Sequence, residues 1–330
     1  MPNLYMMIGL PGSGKSYYAK TLARDTKSSI VSSDTIRETM FGDVNDQEHN
    51  KEVFEEVHKR INTYLKDGNS CIYDATNLSR KRRRGFLNTL SNYKNVKKIA
   101  VLICTDIDVC LKQNKQRDRN VPEDVIMRMF RHLSFPKLDE GFDEIITVSH
   151  KDNPVFMQWY FEKTIDFDQD NEHHSLPLNM HLQKALDIVR AINAEDKSIT
   201  TNEFLSLSYA AQYHDIGKVY CKTYEKYDGT IDTQAHFYNH ADVGAYIMTC
   251  CLLHNAIDHF DREKIKTKLN VPETVIPLIL YHMDFFSMSE EALMEKVTNM
   301  YGERFALMLK YLHRADTEAH WKDVILWKRF

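Results

Sequence analysis

Gly9-Leu10-Pro11-Gly12-Ser13-Gly14-Lys15-Ser16 is spaced for phosphate chemistry, directly after an apolar run from Leu4 to Ile8. Glycines at 9, 12 and 14 let backbone N–H groups, with that of Ser13, close around a triphosphate without side-chain clashes. Lys15 can reach the β- and γ-phosphates, and the Ser16 hydroxyl can hold Mg²⁺. A second constellation lies far along the chain: His214-Asp215-Ile216-Gly217-Lys218, with His181, His240, His282 and Asp316 before and after it. Imidazole nitrogens mixed with carboxylate oxygens suit Mn²⁺, Fe²⁺, Co²⁺, Ni²⁺ or Zn²⁺, and one bridging aspartate can hold two such ions.

Between these clusters stand residues that can choose a phosphate acceptor. Ser33-Asp34-Thr35-Ile36-Arg37 follows an apolar stretch, Ser29 to Ser32, expected beside the P-loop strand. A carboxylate there can take the proton of an attacking hydroxyl, and Arg37, one helical turn on, can hold a phosphate. The same spacing equally fits an N-capping Asp34 with a surface Arg37. Asp74, Thr76 and Asn77 end another apolar run and can orient Arg37, a metal or a water, or simply form a turn. Lys112-Gln113-Asn114-Lys115-Gln116-Arg117-Asp118-Arg119, ahead of Pro122, reads as a lid that brings an arginine onto the transferring phosphoryl group, or as a solvated helix end.

Elements that position these residues follow from periodicity. Up to about residue 150, short apolar runs (Leu4–Ile8, Ser29–Ser32, Ser70–Tyr73, Lys98–Cys104) alternate with amphipathic stretches, which predicts a parallel α/β sheet flanked by helices. Residues 151–166 read as a linker, and 167–330 carry helical patterns such as Leu182, Leu186, Ile188, Val189 and Ile192, predicting an all-α second domain. A length of 330 residues accommodates two such domains. With 43% hydrophobic and 27% charged residues and a net charge of −4, the chain reads as globular and not broadly basic, so nucleic-acid contacts must be local. Lys81 to Arg84 is the one dense basic run. Six cysteines without CxxC spacing suit a reducing compartment, and a strand at the start with no membrane-length apolar run leads to the expectation of a cytoplasmic protein.

The P-loop, Asp34-x-x-Arg37, Asp74-x-Thr76-Asn77 and Asn114-x-x-Arg117…Val121-Pro122 together resemble the 5′-kinase domain of the phage polynucleotide kinase-phosphatase family, over about the first 150 residues. The resemblance implies that Lys15 and Ser16 bind ATP and Mg²⁺, Asp34 is the general base on a 5′-hydroxyl, Arg37 grips the neighbouring phosphate, Asp74 supports that site and Arg117 is the lid arginine. Relatives carry a second basic residue where Gln113 stands. From about Asp168 onward the ordered series His181…His214-Asp215…His240…His282…Asp316 resembles the HD-domain phosphohydrolases. That resemblance implies one metal on His181, His214, Asp215 and Asp316, another on Asp215, His240 and His282, and Lys218 on the substrate phosphate.

Together these features predict an enzyme that phosphorylates a 5′-hydroxyl end from ATP and removes a 2′- or 3′-phosphate, or opens a 2′,3′-cyclic ester. Its partners would be single-stranded or nicked RNA or DNA ends and a separate ligase, with no membrane and with homo-oligomerisation left open. A small-molecule or nucleoside kinase fused to a nucleotidase, or a nucleotide-sensing regulatory module, are the alternatives. His173 and His174 are expected on the surface. His313 and His320, on the helical face of Asp316, are candidates for support of that ligand. His236 competes with His240, Asp284 is a weak extra ligand, and Lys226-Tyr227-Asp228-Gly229, though shaped like a ligase motif, reads as a polar turn.

Overall fold

A computed structural model describes residues 1–117, 119–150, 152–153, 157–252 and 273–320. The expected lid residue Asp118, and parts of the expected linker and second domain, lie outside them. Internal contacts divide the described chain into two compact units, one up to Asn153 and one from residue 157 onward.

The first unit is an α/β P-loop kinase fold. Its strands β1 (Asn3–Ile8), β2 (Ser29–Ser32), β3 (Cys71–Asp74), β4 (Lys97–Cys104) and β5 (Glu144–Ser149) form one parallel sheet in the order β2-β3-β1-β4-β5. Two expectations change here. A fifth strand joins the four read from sequence, built on the β-branched run Ile145-Ile146-Thr147-Val148. And β2 does not neighbour β1, because β3 inserts between them in register Met6 with Tyr73 and Val31 with Tyr73.

Helix α1 (Lys15–Thr26) lays Tyr18, Ala19 and Leu22 on a core of Tyr5, Met7, Ile72, Ile99, Val101 and Val148. Helix α2 is Ser33–Phe41, and α3 (Asn50–Lys66) buries Val53, Val57, Ile61 and Leu65, one per helical turn. Next come α4 (Arg80–Thr89), α5 (Ile107–Lys115) and α6 (Glu123–Arg131).

Within the Lys81–Arg84 run, expected as local positive charge for a polynucleotide, Arg83 is turned inward. Arg83 is 1% exposed: Nε and Nη2 form a two-pronged pair with the Glu140 carboxylate at 2.7 Å each, and Nη1 donates to the carbonyls of Asn77, Leu78 and Ser134. All three of its nitrogens donate inward, so it ties the β3–α4 loop to the segment before β5.

Helices dominate the second unit: α7 (Met157–Glu162, inside the expected linker), α8 (Leu178–Glu195), α9 (Thr201–Tyr213), α10 (Lys218–Cys221), α11 (His240–Leu252), α12 (Val275–Tyr281), α13 (Glu290–Tyr301) and α14 (Glu303–Ala319). The expected all-α character does not hold throughout. An antiparallel hairpin, β6 (Thr223–Glu225) with β7 (Ile231–His236), precedes α11. Lys226-Tyr227-Asp228-Gly229 is its turn, with Gly229 at φ +83° and its N–H donating to Lys226 O, so the ligase-like motif is a turn sequence. Helix α8 packs on α9 and α14, burying Leu182, Ala185, Ile188, Val189 and Ile192, while α11 is buried on every side. All six cysteines are buried. No helix among the described residues is long and apolar enough to cross a membrane.

Candidate active sites

In the first unit, β1 runs straight into the glycine-rich loop, and α1 begins at Lys15 with no side chain capping its first N–H groups. Gly12 (φ +79°) and Gly14 (φ +83°) adopt left-handed backbone, and a Cβ on Gly12 would collide with the Cys110 carbonyl. The Ser13 hydroxyl is buried without a partner, while its carbonyl accepts from Thr105 Oγ1 at 2.8 Å. Lys15 is half-buried and Ser16 exposed. Uncapped N–H groups at a helix start, backbone free of Cβ and an orphaned buried hydroxyl all fit phosphate and its metal.

Around this loop the strand ends converge. Gly9 N–H donates to Thr76 O at 3.1 Å and Asn77 Nδ2 donates to Met7 O at 2.9 Å, so the turn after β3 is tied to the strand before the P-loop. Asn77 stands at φ +48°, and its amide is spent on that backbone contact rather than turned to a ligand. Asp74, 7% exposed, ends β3 beside the start of α2, where Ser33 Oγ donates to its carbonyl at 3.5 Å.

Helix α2 is capped by Ser32, whose hydroxyl accepts from Thr35 N–H, so Asp34 is released from capping and stands half-exposed in the first turn. Arg37 is not a surface residue: it is 5% exposed, with Nη1 donating to Asp34 Oδ1 at 3.2 Å and Nη2 to Asn50 Oδ1 at 2.7 Å.

The expected lid divides. Its first half is the end of α5, where Asn114 is buried and holds the following loop through Val121 O (2.8 Å) and Val121 N–H (3.1 Å), and where the Gln113 amide lies 2.8 Å from His150 Nε2. Arg117 is exposed. From this segment Arg119 also reaches Asp34, Nη1 to Oδ2 at 2.6 Å. Sequence reasoning passed over it, because a motif match puts weight on the arginine nearest Asn114.

In the second unit, His181 (α8), His214 and Asp215 (the turn after α9), His240 (start of α11), His282 (after α12) and Asp316 (α14) converge, each no more than 6% exposed. The two oxygens of Asp215 face different pairs. Oδ2 lies 3.5 Å from His181 Nε2 and 3.4 Å from His214 Nε2; Oδ1 lies 3.1 Å from His240 Nε2 and 3.5 Å from His282 Nε2. Asp316 Oδ1 adds itself to the first pair at 3.2 and 3.3 Å.

Three of these rings place Nδ1 against the carbonyl three residues earlier, His214 on Ala211 O (3.0 Å), His240 on Phe237 O (2.7 Å) and His282 on Ile279 O (2.6 Å). With Nδ1 donating its proton, Nε2 carries a lone pair in the neutral ring. His240 Nε2 and His282 Nε2 are then two lone pairs 3.3 Å apart, a repulsive contact without a cation between them. Ligand atoms about 2.0–2.1 Å from a tetrahedral ion lie about 3.4 Å from each other. Groups His181-His214-Asp215-Asp316 and Asp215-His240-His282 each bring their donor atoms within 4.8 Å of one another, so the donor set fits two ions that share Asp215.

Charge balance agrees. Against the opposing effect of burial, Lys218 and His214 hold the Asp215 carboxyl well below the usual carboxylate range, and His214 and His181 do the same for Asp316. Burial works against a charged His214, yet the two aspartates push it up to about 10. His282 is lowered by burial.

Gly217 makes the convergence sterically feasible: a Cβ there would collide with the His240 carbonyl, so the Asp215 turn and the start of α11 approach only through glycine. His236 pairs with Asp232 at 3.0 Å, His313 stacks on Phe285 at 4.0 Å, and Asp284 is 3.5 Å from Lys296; none of them joins the ligand groups found among the described residues.

Lys218 is 4% exposed, its ammonium 2.7 Å from Asp215 Oδ2, donating to Gln169 Oε1 at 2.8 Å and to His174 Nε2 at 3.1 Å. His173 is exposed, but His174 corrects the surface expectation. It packs against His181 and His320 at 5.2 and 4.6 Å, and burial followed by the Lys218 charge pushes it down to about 2, so its ring is neutral. His320 Nε2 lies 3.3 Å from Asp316 Oδ1. The His173-His174 doublet was the only signal for this residue.

Residues 4–136 match the profile of a family described as an AAA domain. L-seryl-tRNA(Sec) kinase of Methanococcus maripaludis is 25% identical over 150 residues, 42% of this chain and 56% of that protein, so the match spans about half the length of that curated relative. Among solved structures, a chain of the Pnkp1/Rnl/Hen1 RNA repair complex is 25% identical over 40% of this chain and 44% of its own length, with a TM-score of 0.36. A gluconokinase from Sinorhizobium meliloti is 15% identical over 44% of this chain and 82% of its own, with a TM-score of 0.33. The first unit is a P-loop kinase-type domain.

Proposed function

We propose that the chain heals broken polynucleotide ends: the first unit phosphorylates a 5′-hydroxyl from ATP, and the second, an HD-type phosphohydrolase, removes a 2′- or 3′-phosphate or opens a 2′,3′-cyclic phosphate. The observation that carries the pairing is Asp215, whose two oxygens each face a pair of imidazole Nε2 atoms in the same chain as a P-loop with an acceptor-side carboxylate and arginine. A 5′-hydroxyl and a 3′-phosphate are the two faults of one kind of break, and they need opposite operations. RNA or DNA ends are the proposed substrates, and a separate ligase the proposed partner.

In the kinase unit, N–H groups of Gly12 to Ser16 and the Lys15 ammonium would hold the ATP phosphates, and Ser16 would hold Mg²⁺. Asp34 takes the hydroxyl proton while Arg37 holds the acceptor, and Arg117 supplies charge to the transferring phosphoryl group. Asp74 and Thr76 border the acceptor side.

In the second unit, His181, His214, Asp215 and Asp316 would hold one transition-metal ion, and Asp215, His240 and His282 the other. When bound, the two ions lower the pKa of a shared water and clamp the phosphate. Lys218, already beside Asp215, presents its ammonium to a phosphate oxygen. Gln169 and His174 hold that ammonium in place.

The deciding experiment offers labelled ATP with a 5′-hydroxyl oligonucleotide or a free nucleoside, and separately measures phosphate release from matched oligonucleotides with 2′-phosphate, 3′-phosphate and 2′,3′-cyclic ends. Label on the oligonucleotide and release from at least one of these ends are expected; label on the nucleoside alone rejects the reading.

A further inference from the structure

Arg119 has no role in the kinase reading above, yet it makes the shortest contact to the acceptor-side carboxylate, Nη1 to Asp34 Oδ2 at 2.6 Å. Its Nε donates to Asn45 Oδ1 at 3.2 Å, so the guanidinium is held between Asp34 and the loop joining α2 to α3. From the opposite side Arg37 Nη1 reaches the other oxygen, Asp34 Oδ1, at 3.2 Å. Two guanidiniums thus converge on one carboxylate, which can neutralise only one of them.

The pair is incomplete as an ion cluster. Arg37 is 5% exposed, and its Nε is buried with no hydrogen-bond acceptor. A buried charged donor left without an acceptor is unfavourable by more than most hydrogen bonds gain, so this site is organised for an oxygen-rich anion beyond Asp34. A tetrahedral phosphate offers more acceptor oxygens than a carboxylate and matches the guanidinium fork. Gln113, the neutral residue at the start of the lid, is engaged with His150 and brings no charge here.

We propose that Arg119 is a specificity residue of the acceptor site: with Arg37 it clamps the phosphate next to the attacking hydroxyl, and in doing so it exchanges the Asp34 carboxylate for that phosphate. The proposal rests on the kinase reading. Asp34 is then uncovered only when the acceptor carries a phosphate. Asp34 accepts the 5′-hydroxyl proton, the 5′-oxygen forms its bond to the γ-phosphorus, and the bond from that phosphorus to the β,γ-bridging oxygen breaks, its electron pair leaving with ADP. An acceptor without the phosphate leaves Arg119 on the base, so a nucleoside 3′-monophosphate or a polynucleotide end is favoured over a bare nucleoside.

The test uses the full chain with labelled ATP and three acceptors: a nucleoside 3′-monophosphate, the same nucleoside, and a 5′-hydroxyl hexanucleotide. Arg119→Ala is expected to raise KM for the nucleoside 3′-monophosphate by about tenfold or more, the range of one charge-assisted contact, while KM for ATP stays within about twofold. Arg119→Lys, which keeps the charge without the fork, should recover part of the loss. Without ATP, binding of a 3′-labelled single-stranded hexanucleotide should lose about 0.7 from its salt slope in the alanine variant, one phosphate contact fewer.

An unchanged acceptor KM and salt slope in Arg119→Ala overturns the clamp while leaving the kinase reading intact, as does a rise confined to the KM for ATP. If the wild-type chain phosphorylates neither phosphate-bearing acceptor, the kinase reading itself falls.

Discussion

The two carboxylate oxygens of Asp215 face separate histidine pairs, and Asp34 stands between two guanidiniums; the proposed role of each can be isolated by substitution. Asp34→Ala should abolish phosphate transfer from ATP and spare phosphate release, whereas Asp215→Ala should do the reverse. Assays of both activities on each variant check this, and loss of both in either one contradicts two independent sites. Residue types were well legible here. The His and Asp series picked out the six residues that the fold brings together, and the P-loop is local in sequence. Arg119 and His174 were not legible, since each owes its place to the path of a loop that no periodicity constrains.

At the scale of elements, two polar clusters hold the chain in shape. Glu140 and Arg83 are completely buried and pair through two bonds, so Arg83→Ala leaves that carboxylate with only the longer Arg80 contact at 3.4 Å and the Lys137 N–H, and should destabilise the protein by about 3 kcal/mol, the lower end for a broken buried pair, read from denaturant unfolding. Lys81 and Arg84, exposed on the same helix, should change stability little when replaced by alanine.

The second cluster begins α9. Thr200 and Glu203 form a reciprocal cap, and Arg304 of α14 donates to both Glu203 oxygens at 2.7 Å. Those arginine bonds first, and the Thr200 contacts with them, hold Glu203 down at about 2 despite the opposing effect of burial. A carboxyl lowered in the folded state adds stability above its unfolded pKa of about 4.3, and loses it as pH falls toward the folded value. With Arg304 half-exposed the contribution is held to about 0.5–1 kcal/mol. The stability gap between wild type and Glu203→Gln should therefore shrink from pH 5 to pH 2, and a pH series of thermal melts measures it.

For the whole molecule, the metal reading makes stability depend on ions. Six buried ligands whose lone pairs and charges face one another should be strained without cations, and an ion that binds only the folded state stabilises it by mass action. Chelation should lower the melting temperature of the metal-bound protein and stop phosphate release. Add-back of Mn²⁺, Ni²⁺ or Zn²⁺ should restore both, whereas full recovery with Mg²⁺ alone would contradict the histidine-rich assignment.

By itself the sequence determined which groups are available and which strictly local structures they form. The glycine spacing makes the phosphate loop and apolar periodicity makes the strands and most helices, because each of these depends on neighbours within a few residues, and the histidine-aspartate series supplies candidate ligand types. Only the tertiary structure decided what depends on distant segments meeting. It inserted β3 between β1 and β2, turned Arg83 inward onto Glu140, brought Arg119 to Asp34, and drew His174 to Lys218. Side-chain charge is visible in a sequence, but whether that charge meets water, a carboxylate or a substrate is fixed by burial and by loop paths, which belong to the folded chain alone.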